Sequence, residues 1–144
     1  MPNINAGRPI EAMDENNSYI NVTVGSTVYG TCETNDATPL EVVAVSGIQP
    51  GCYQYTVRCT GHNDSAAGED VGYVLQGLVS CADDGTMADV GTAQKASFEH
   101  ASSTDCDIAI DATTDNVIAF KVTGEAATSY NWSAMVSIFG PING

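Results

Sequence analysis

Hydrophobic and polar residues alternate through most of this chain, and the pattern is clearest near its C-terminal end. In residues 116–123, Ile118, Phe120 and Val122 fall on one side of an extended strand. In residues 129–139 a second alternating set is Tyr130, Trp132, Ala134, Val136 and Ile138. Because the side chains of a strand point alternately to its two faces, each segment is predicted to be a strand with one buried face. The short connection between them predicts an antiparallel hairpin with Trp132 in the core.

Similar signals, separated by glycine, proline, asparagine and aspartate, recur along the rest of the chain. The further predicted strands are 19–24, 27–32, 40–46, 52–60, 71–80, 93–100 and 106–111. Residues 61–70 are predicted to form a loop. Residues 86–96 are the one place for a short helix, although Gly91 interrupts it. The pattern predicts an all-β, antiparallel β-sandwich of eight or nine short strands, jelly-roll-like in topology.

The length of 144 residues fits a single domain with its own hydrophobic core. Pro2, Gly7 and Pro9 interrupt the first residues, so residues 1–17 are predicted to be an extended N-terminal arm and residues 18–144 the sandwich domain. The sequence has no secretory signal pattern and no run of about eighteen apolar residues. We therefore expect that the protein either stays in the cell that makes it or leaves by a route other than the general secretory one, and that no segment spans a membrane.

The charge of the chain excludes two classes of partner. Eighteen acidic residues stand against four basic ones, which gives a formal net charge of −14. No basic stripe is present to neutralise phosphates, so nucleic acids and anionic membranes are repelled. Charged residues nevertheless form only 15% of the chain, and exposed positions must be filled largely by threonine, serine, asparagine and glycine. This surface chemistry is typical of strand-rich extracellular or virion proteins.

Five cysteines form an odd set without a Cys-x-x-Cys pair, which argues against a zinc ribbon or a redox motif. We expect small buried thiols in a reducing compartment. A disulfide such as Cys81 to Cys106 is the alternative.

Catalytic and metal-binding patterns are weak. His62 and His100 are the only histidines, and no Gly-x-Ser-x-Gly nucleophile elbow occurs. Two groups of loop acids offer oxygen ligands for Ca²⁺, namely Asp64, Glu69 and Asp70, and Asp83, Asp84 and Asp89. Neither group follows the EF-hand pattern, so we interpret them as solvated turn residues. We expect no enzymatic activity, no metal and no cofactor.

Two predicted strands are apolar on both faces. Val43 and Val45 lie opposite the apolar face of residues 40–46, and Val74 and Leu78 lie opposite that of residues 71–80. A two-layer sandwich covers only one face of each strand. These four residues are therefore predicted to lie in an interface with another subunit. The alternative is that the N-terminal arm folds back over them.

The C-terminal segments also carry a resemblance. A strand ending in Val122, Thr123 and Gly124 is followed by a short connection and a strand with the pattern Asn-Trp-x-Ala-x-Val at residues 131–136. This resembles the closing hairpin of small trimeric bacteriophage structural domains, which occur as capsid decoration (cement) proteins and as tail-fibre knobs. The resemblance implies a homotrimer and a structural role in the virion.

Of the two roles, the sequence favours a decoration protein that binds and stabilises the outer surface of a shell of major capsid protein. Ile4, Arg8 and Ile10 of the arm are the predicted capsid contacts, because an extended segment acquires order as it lies across shell subunits. The alternative is a receptor-binding knob that recognises host-surface glycan. Its candidate aromatic residues are Tyr29, Tyr53 and Tyr73.

Overall fold

The computed structural model describes residues 26–66 and 68–141, and within them all regular structure is β-strand. The strands are β1 (Ser26–Thr34), β2 (Leu40–Ser46), β3 (Gly51–Asn63), β4 (Val71–Cys81), β5 (Met87–Glu99), β6 (Asp107–Asp111), β7 (Val117–Thr123) and β8 (Tyr130–Phe139). They form two antiparallel sheets, which confirms the predicted all-β sandwich. No helix suited to crossing a membrane occurs in these residues. The predicted arm and the predicted strand 19–24 lie outside them.

The two sheets differ in size. One has five strands in the order β1-β8-β3-β4-β5, and the other has three in the order β2-β7-β6. Strands β3, β4 and β5 follow one another as a meander. The chain then forms β6 and β7 in the second sheet before β8 joins the first sheet beside β3. This long return is the connection that characterises a Greek key.

The last two strands do not form the predicted hairpin. β7 pairs with β2 and β6, whereas β8 pairs with β1 and β3. The buried faces were predicted correctly, since Phe120 is 0% and Trp132 is 1% exposed. Alternation reveals which face of a strand is buried, but two such strands can either pair edge to edge or face each other across a core. Here they face each other.

Aromatic side chains fill the space between the sheets. Tyr55 of β3 meets Phe120 of β7 with ring centroids 5.1 Å apart. Trp132 stacks on Tyr130 at 5.7 Å and donates its indole N–H to Thr34 Oγ1 over 2.9 Å. The ring of Trp132 also lies over Gly61, where a Cβ would come within 2.7 Å of the ring. The predicted core position of Trp132 is confirmed.

The second apolar side of β2 is covered by the fold itself. The pairing of β2 with β7 shifts register between Glu41 and Val43, after which Val43 and Val45 lie opposite Phe120 and Ile118 in the core. Val42 is buried as well, and its carbonyl lies against Gly30 of β1. The expectation that Val43 and Val45 need cover from another subunit therefore does not hold.

Two loop and helix predictions are also corrected. The helix alternative for residues 86–96 is wrong, because they lie almost wholly in β5. Gly91 adopts φ 69° there and interrupts the pairing instead of capping a helix. β3 extends to Asn63, three residues into the predicted loop.

Candidate interaction surface

The outward-pointing residues of β1, β8, β3, β4 and β5 form one continuous surface, here called the outer face. Inward residues of β1, β8, β3 and β4 pack toward the core, so the residues between them point away from it. The pairing with β4 places alternate residues of β5 on the same face. The strand register aligns them in rows across the sheet. The central row is Tyr29, Met135, Arg58, Val74 and Ala96.

The outer face is almost free of negative charge. Of the 18 acidic residues, Glu11, Asp14 and Glu15 precede the part of the chain that the structure describes. Among the other 15, only Glu33 is an outer-face residue, and it lies at the end of the face opposite Asn131. The remaining carboxylates lie in the loops, on the three-stranded sheet or on the inner side of β5. The large net charge is therefore distributed very unevenly.

A positive charge lies near the centre of this neutral surface. Arg58 is exposed and lines a shallow depression together with Thr27, Tyr29, Thr56, Met135 and Ser137. Within residues 26–66 and 68–141, no carboxylate forms an ion pair with Arg58. The guanidinium is available to an external acceptor, and its planar fork suits a carboxylate.

The outer face also holds most of the exposed apolar side chains. Six large hydrophobic residues are exposed in the described residues, and five of them belong to this face: Tyr29, Leu78, Val90, Phe98 and Phe139. Tyr29 is the most exposed, at 73%. The cores of protein–protein interfaces are enriched in aromatic residues, methionine and arginine and depleted of acids. The outer face has this composition, which makes it the candidate functional site.

The sequence-predicted site residues fall in three places. Val74 and Leu78 lie on the outer face, and Leu78 is 40% exposed. Val43 and Val45 lie in the core, as described above. The predicted capsid contacts Ile4, Arg8 and Ile10 lie outside the described residues.

Of the three tyrosines considered for glycan recognition, only Tyr29 is on the surface. Tyr53 and Tyr73 are 0% and 2% exposed. Sequence reasoning missed Arg58 and Met135. The available signal was the absence of acids from alternate positions such as 27, 29 and 31, in a chain that is otherwise rich in them.

The carboxylates at one end of the sandwich are engaged in loop contacts. Asp70 Oδ1 accepts the backbone N–H of Asn63 over 2.9 Å and lies 3.1 Å from His62 Nδ1. The Asn63 hydrogen bond, aided by His62, holds the pKa of Asp70 below its usual range. Asp64 accepts the side-chain amide of Asn131. Asp64 and Asp70 are therefore engaged in contacts within the chain.

Across the described ranges, no three His, Cys, Asp or Glu side chains are grouped to hold a metal. His100 Nδ1 lies 2.8 Å from Ser102 Oγ, but this hydroxyl also lies 2.8 Å from Glu69 Oε1. Ser102 is an exposed turn residue two positions from His100. The contact between His100 and Ser102 is therefore a local hydrogen bond within a turn, and we do not interpret it as a pair of base and nucleophile.

All five cysteines are free, so the alternative disulfide between Cys81 and Cys106 is not formed. Burial raises the pKa of Cys59 to about 12 and that of Cys106 to about 11. These thiols stay protonated at neutral pH. Cys52, in contrast, is exposed on the outer face.

Comparisons with known proteins are sparse. No family model matches the chain. No curated protein matches it either. Among solved structures, the crystal structure of the Acinetobacter phage vB_ApiP_P1 tailspike protein is similar with a TM-score of 0.37 and 14% identity. The match covers 94% of this chain and 25% of the tailspike chain, so this chain spans about a quarter of the tailspike's length.

Proposed function

We propose that this chain is a structural protein of a bacteriophage virion, and specifically a capsid decoration (cement) protein. It binds the outer surface of the shell of major capsid protein and stabilises it without catalysing a reaction. The observation that supports this role is the outer face, which combines Arg58 with exposed aromatic residues and, over five strands, has Glu33 at its end as its only acid. The protein is made in the host cytoplasm and acts at the capsid surface.

The charge distribution favours a protein partner. Apolar and aromatic side chains gain free energy when a complementary protein surface removes them from water, and an arginine in such a setting anchors the contact. The acidic remainder of the molecule repels nucleic acid and anionic membrane and orients the neutral face toward its partner. Binding to the assembled shell then stabilises that shell by mass action.

Self-association and the N-terminal arm belong to the same proposal. Val74 and Leu78 are the remaining predicted residues for a homotrimer interface. A trimer multiplies weak shell contacts because its copies bind several shell subunits at once. Ile4, Arg8 and Ile10 are proposed to add contacts from the arm. A variant that lacks residues 1–17 is then expected to fold but to bind capsids weakly.

One observation supports a second candidate, the receptor-binding knob of a tail fibre. Tyr29 is exposed beside Arg58 and several hydroxyl side chains in one depression. An aromatic ring flanked by hydrogen-bonding groups suits a sugar ring. In this role the same depression binds host-surface glycan.

Co-sedimentation with capsids tests the proposal. Capsids assembled from the major capsid protein of the same phage are mixed with the parent protein, with Arg58→Glu and with Lys121→Glu. The two variants change the net charge equally, but Lys121 lies on the other sheet, beside Asp111. We expect Arg58→Glu to weaken binding by about tenfold or more, because an interface arginine is a common hot spot, and Lys121→Glu to bind like the parent.

Two outcomes contradict the proposal. If Arg58→Glu binds capsids as well as the parent does, the outer face around Arg58 is not the surface that contacts the capsid. If the parent binds no capsid but is retained on host-surface polysaccharide, the result favours the receptor-binding knob of a tail fibre.

A further inference from the structure

Among the strands that the structure describes, β5 forms an open edge of the five-stranded sheet. It is the last strand in the sheet order and has 13 residues. Only Met87 is buried and Ala93 half-buried, so both faces of the strand are exposed over nearly its whole length. The outward N–H and C=O groups of such an edge are a template for another strand.

Natural edges are often protected by a lysine or an irregularity, and β5 has both. Its pairing with β4 is irregular around Gly91, between Val90 and Gln94. Regular pairing resumes at Gln94 and continues to Glu99. Lys95 lies within this regular stretch. A strand that pairs with this edge must therefore do so over the short regular stretch and must place a compatible residue opposite Lys95.

We propose that β5 pairs antiparallel with β5 of a second copy, about a two-fold axis at Ser97. In this register Lys95 lies directly opposite Glu99 of the partner copy, and the symmetry repeats the pair. Ala96 lies opposite Phe98 of the partner copy on the outer side. Opposite charges directly across an antiparallel pair are stabilising. Lys95 disfavours pairing with strands that lack an acid at the opposite position. It therefore favours pairing with a second copy, which provides Glu99 there.

The two charged side chains are already held at the edge by contacts within their own chain. Lys95 Nζ contacts Asp107 Oδ1, and Glu99 accepts the hydroxyl hydrogen bond of Tyr73. An ammonium group has three donors and a carboxylate has several acceptor sites. Each group can therefore keep its internal partner and gain one from the second copy.

A competing register is less favourable. Pairing centred on Gln94 places Phe98 opposite Val90 of the partner copy, which is a good apolar pair. It also places Glu99 opposite Asp89 of the partner copy, and like charges directly across are destabilising. The irregular stretch around Gly91 would then lie inside the new ladder. Both charge and regularity therefore favour the axis at Ser97.

Disulfide trapping distinguishes the two registers. Ser97→Cys and Gln94→Cys are each placed in a Cys52→Ser background, which removes the exposed native thiol. On the two-fold axis, the two copies of a residue face each other at about 4.5–5.5 Å between Cα atoms, a spacing that a disulfide spans. Under mild oxidation we expect Ser97→Cys to give a linked pair of chains on a denaturing gel and Gln94→Cys to remain single. The pair is a two-fold contact and is therefore distinct from the proposed homotrimer interface at Val74 and Leu78. The gel reports it whatever the number of copies in the assembly.

The proposal is overturned if Ser97→Cys forms no more linked pairs than the Cys52→Ser background. It is equally overturned if Gln94→Cys links efficiently and Ser97→Cys does not, since the axis then lies at Gln94. Neither outcome bears on capsid binding, so the pairing and the proposed function fail separately.

Charge reversal provides an independent measurement in the Ser97→Cys background. We expect Lys95→Glu and Glu99→Lys each to slow crosslinking several-fold, because each places like charges opposite one another, and the double variant to recover most of the rate. Asp107→Asn is the matched control, because it removes the internal partner of Lys95 and leaves the proposed pair intact. Thermal unfolding of each variant shows that it is folded. A double variant no faster than the singles, or a control as slow as Lys95→Glu, rejects the register.

Discussion

The inner and outer faces of the five-stranded sheet differ in burial, but along β3 they share one property. Along β3, Tyr53, Tyr55 and Val57 point inward and are buried, whereas Gln54 and Arg58 point outward and are exposed. Neither face of β3 carries an acid, although the chain is strongly acidic. On the inner face burial explains this, because an unpaired charge in the core is costly. On the outer face no packing within the described residues explains it, and the proposed binding to a capsid would account for it.

The comparison has a direct experimental meaning. Substitutions on the inner face should change the free energy of unfolding, because they alter packing. Substitutions on the outer face should leave folding almost unchanged and alter association. Matched pairs of substitutions, one from each face, test this division.

The largest expected difference is between Trp132→Ala and Phe139→Ala, both in β8. Trp132 is 1% exposed and donates a hydrogen bond to Thr34, whereas Phe139 is 55% exposed. Trp132→Ala should lower the free energy of unfolding by about 3–5 kcal/mol. Phe139→Ala should change it by about 0.5 kcal/mol or less. Chemical denaturation measures both, and a stable Trp132→Ala variant would contradict the assignment of the core.

Glycine substitutions on neighbouring strands give the next contrast. A Cβ at Gly61 would lie 2.7 Å from the Trp132 ring, whereas one at Gly72 would lie 3.4 Å from the carbonyl of Cys59. Gly61→Ala should therefore cost about 1–3 kcal/mol through overpacking. Gly72→Ala should be close to neutral. Equal effects in a denaturation experiment would mean that the Trp132 ring moves freely.

These contrasts follow from the part of the fold that the sequence predicts well. Alternation identified the buried faces of β7 and β8, including Trp132, since burial depends on the side chain's own direction. It did not identify which strands pair, and so a hairpin was predicted where β7 and β8 belong to different sheets. Pairing depends on contacts between distant segments that no local pattern contains.

The candidate site was less predictable for the same reason. Leu78 and Tyr29 were considered from the sequence, but their association with Arg58 requires knowing that β1, β8, β3 and β4 share one sheet. Val43 was misjudged because a register shift at β2 is invisible in a simple alternation. Irregularities of this kind change which face a residue occupies.

Thiol reactivity compares the two faces without any substitution. Cys52 is exposed on the outer side of β3, and Cys59 is buried on its inner side with its pKa raised to about 12. At mildly alkaline pH an alkylating reagent should modify Cys52 first and Cys59 only after unfolding, because the thiolate is the reactive form. Mass spectrometry of the peptides identifies the order of modification. Early labelling of Cys59 in the folded protein would place it near solvent.

The same raised pKa predicts the pH dependence of stability. The folded state keeps Cys59 neutral to a higher pH than the unfolded state, in which the thiol has its ordinary pKa of 9.0. Its contribution to stability is complete below that value and is lost as the pH rises toward about 12. Cys59→Ala should reduce the slope of stability against pH in this range. An unchanged slope would assign the alkaline loss to other groups.

The smallest expected effect on folding comes from adding a charge to the outer face. Ser137 is exposed in the depression near Arg58 and Thr56, so Ser137→Glu should change the free energy of unfolding by about 0.5 kcal/mol or less. Its association with capsids should fall, because a carboxylate buried in an interface must be desolvated. Thermal unfolding and co-sedimentation measure the two effects on the same sample. If Ser137→Glu instead strongly lowers the free energy of unfolding, and the variant binds capsids like the parent under conditions where it is still folded, the outer face is neutral because folding requires it. The contrast between the two faces then disappears.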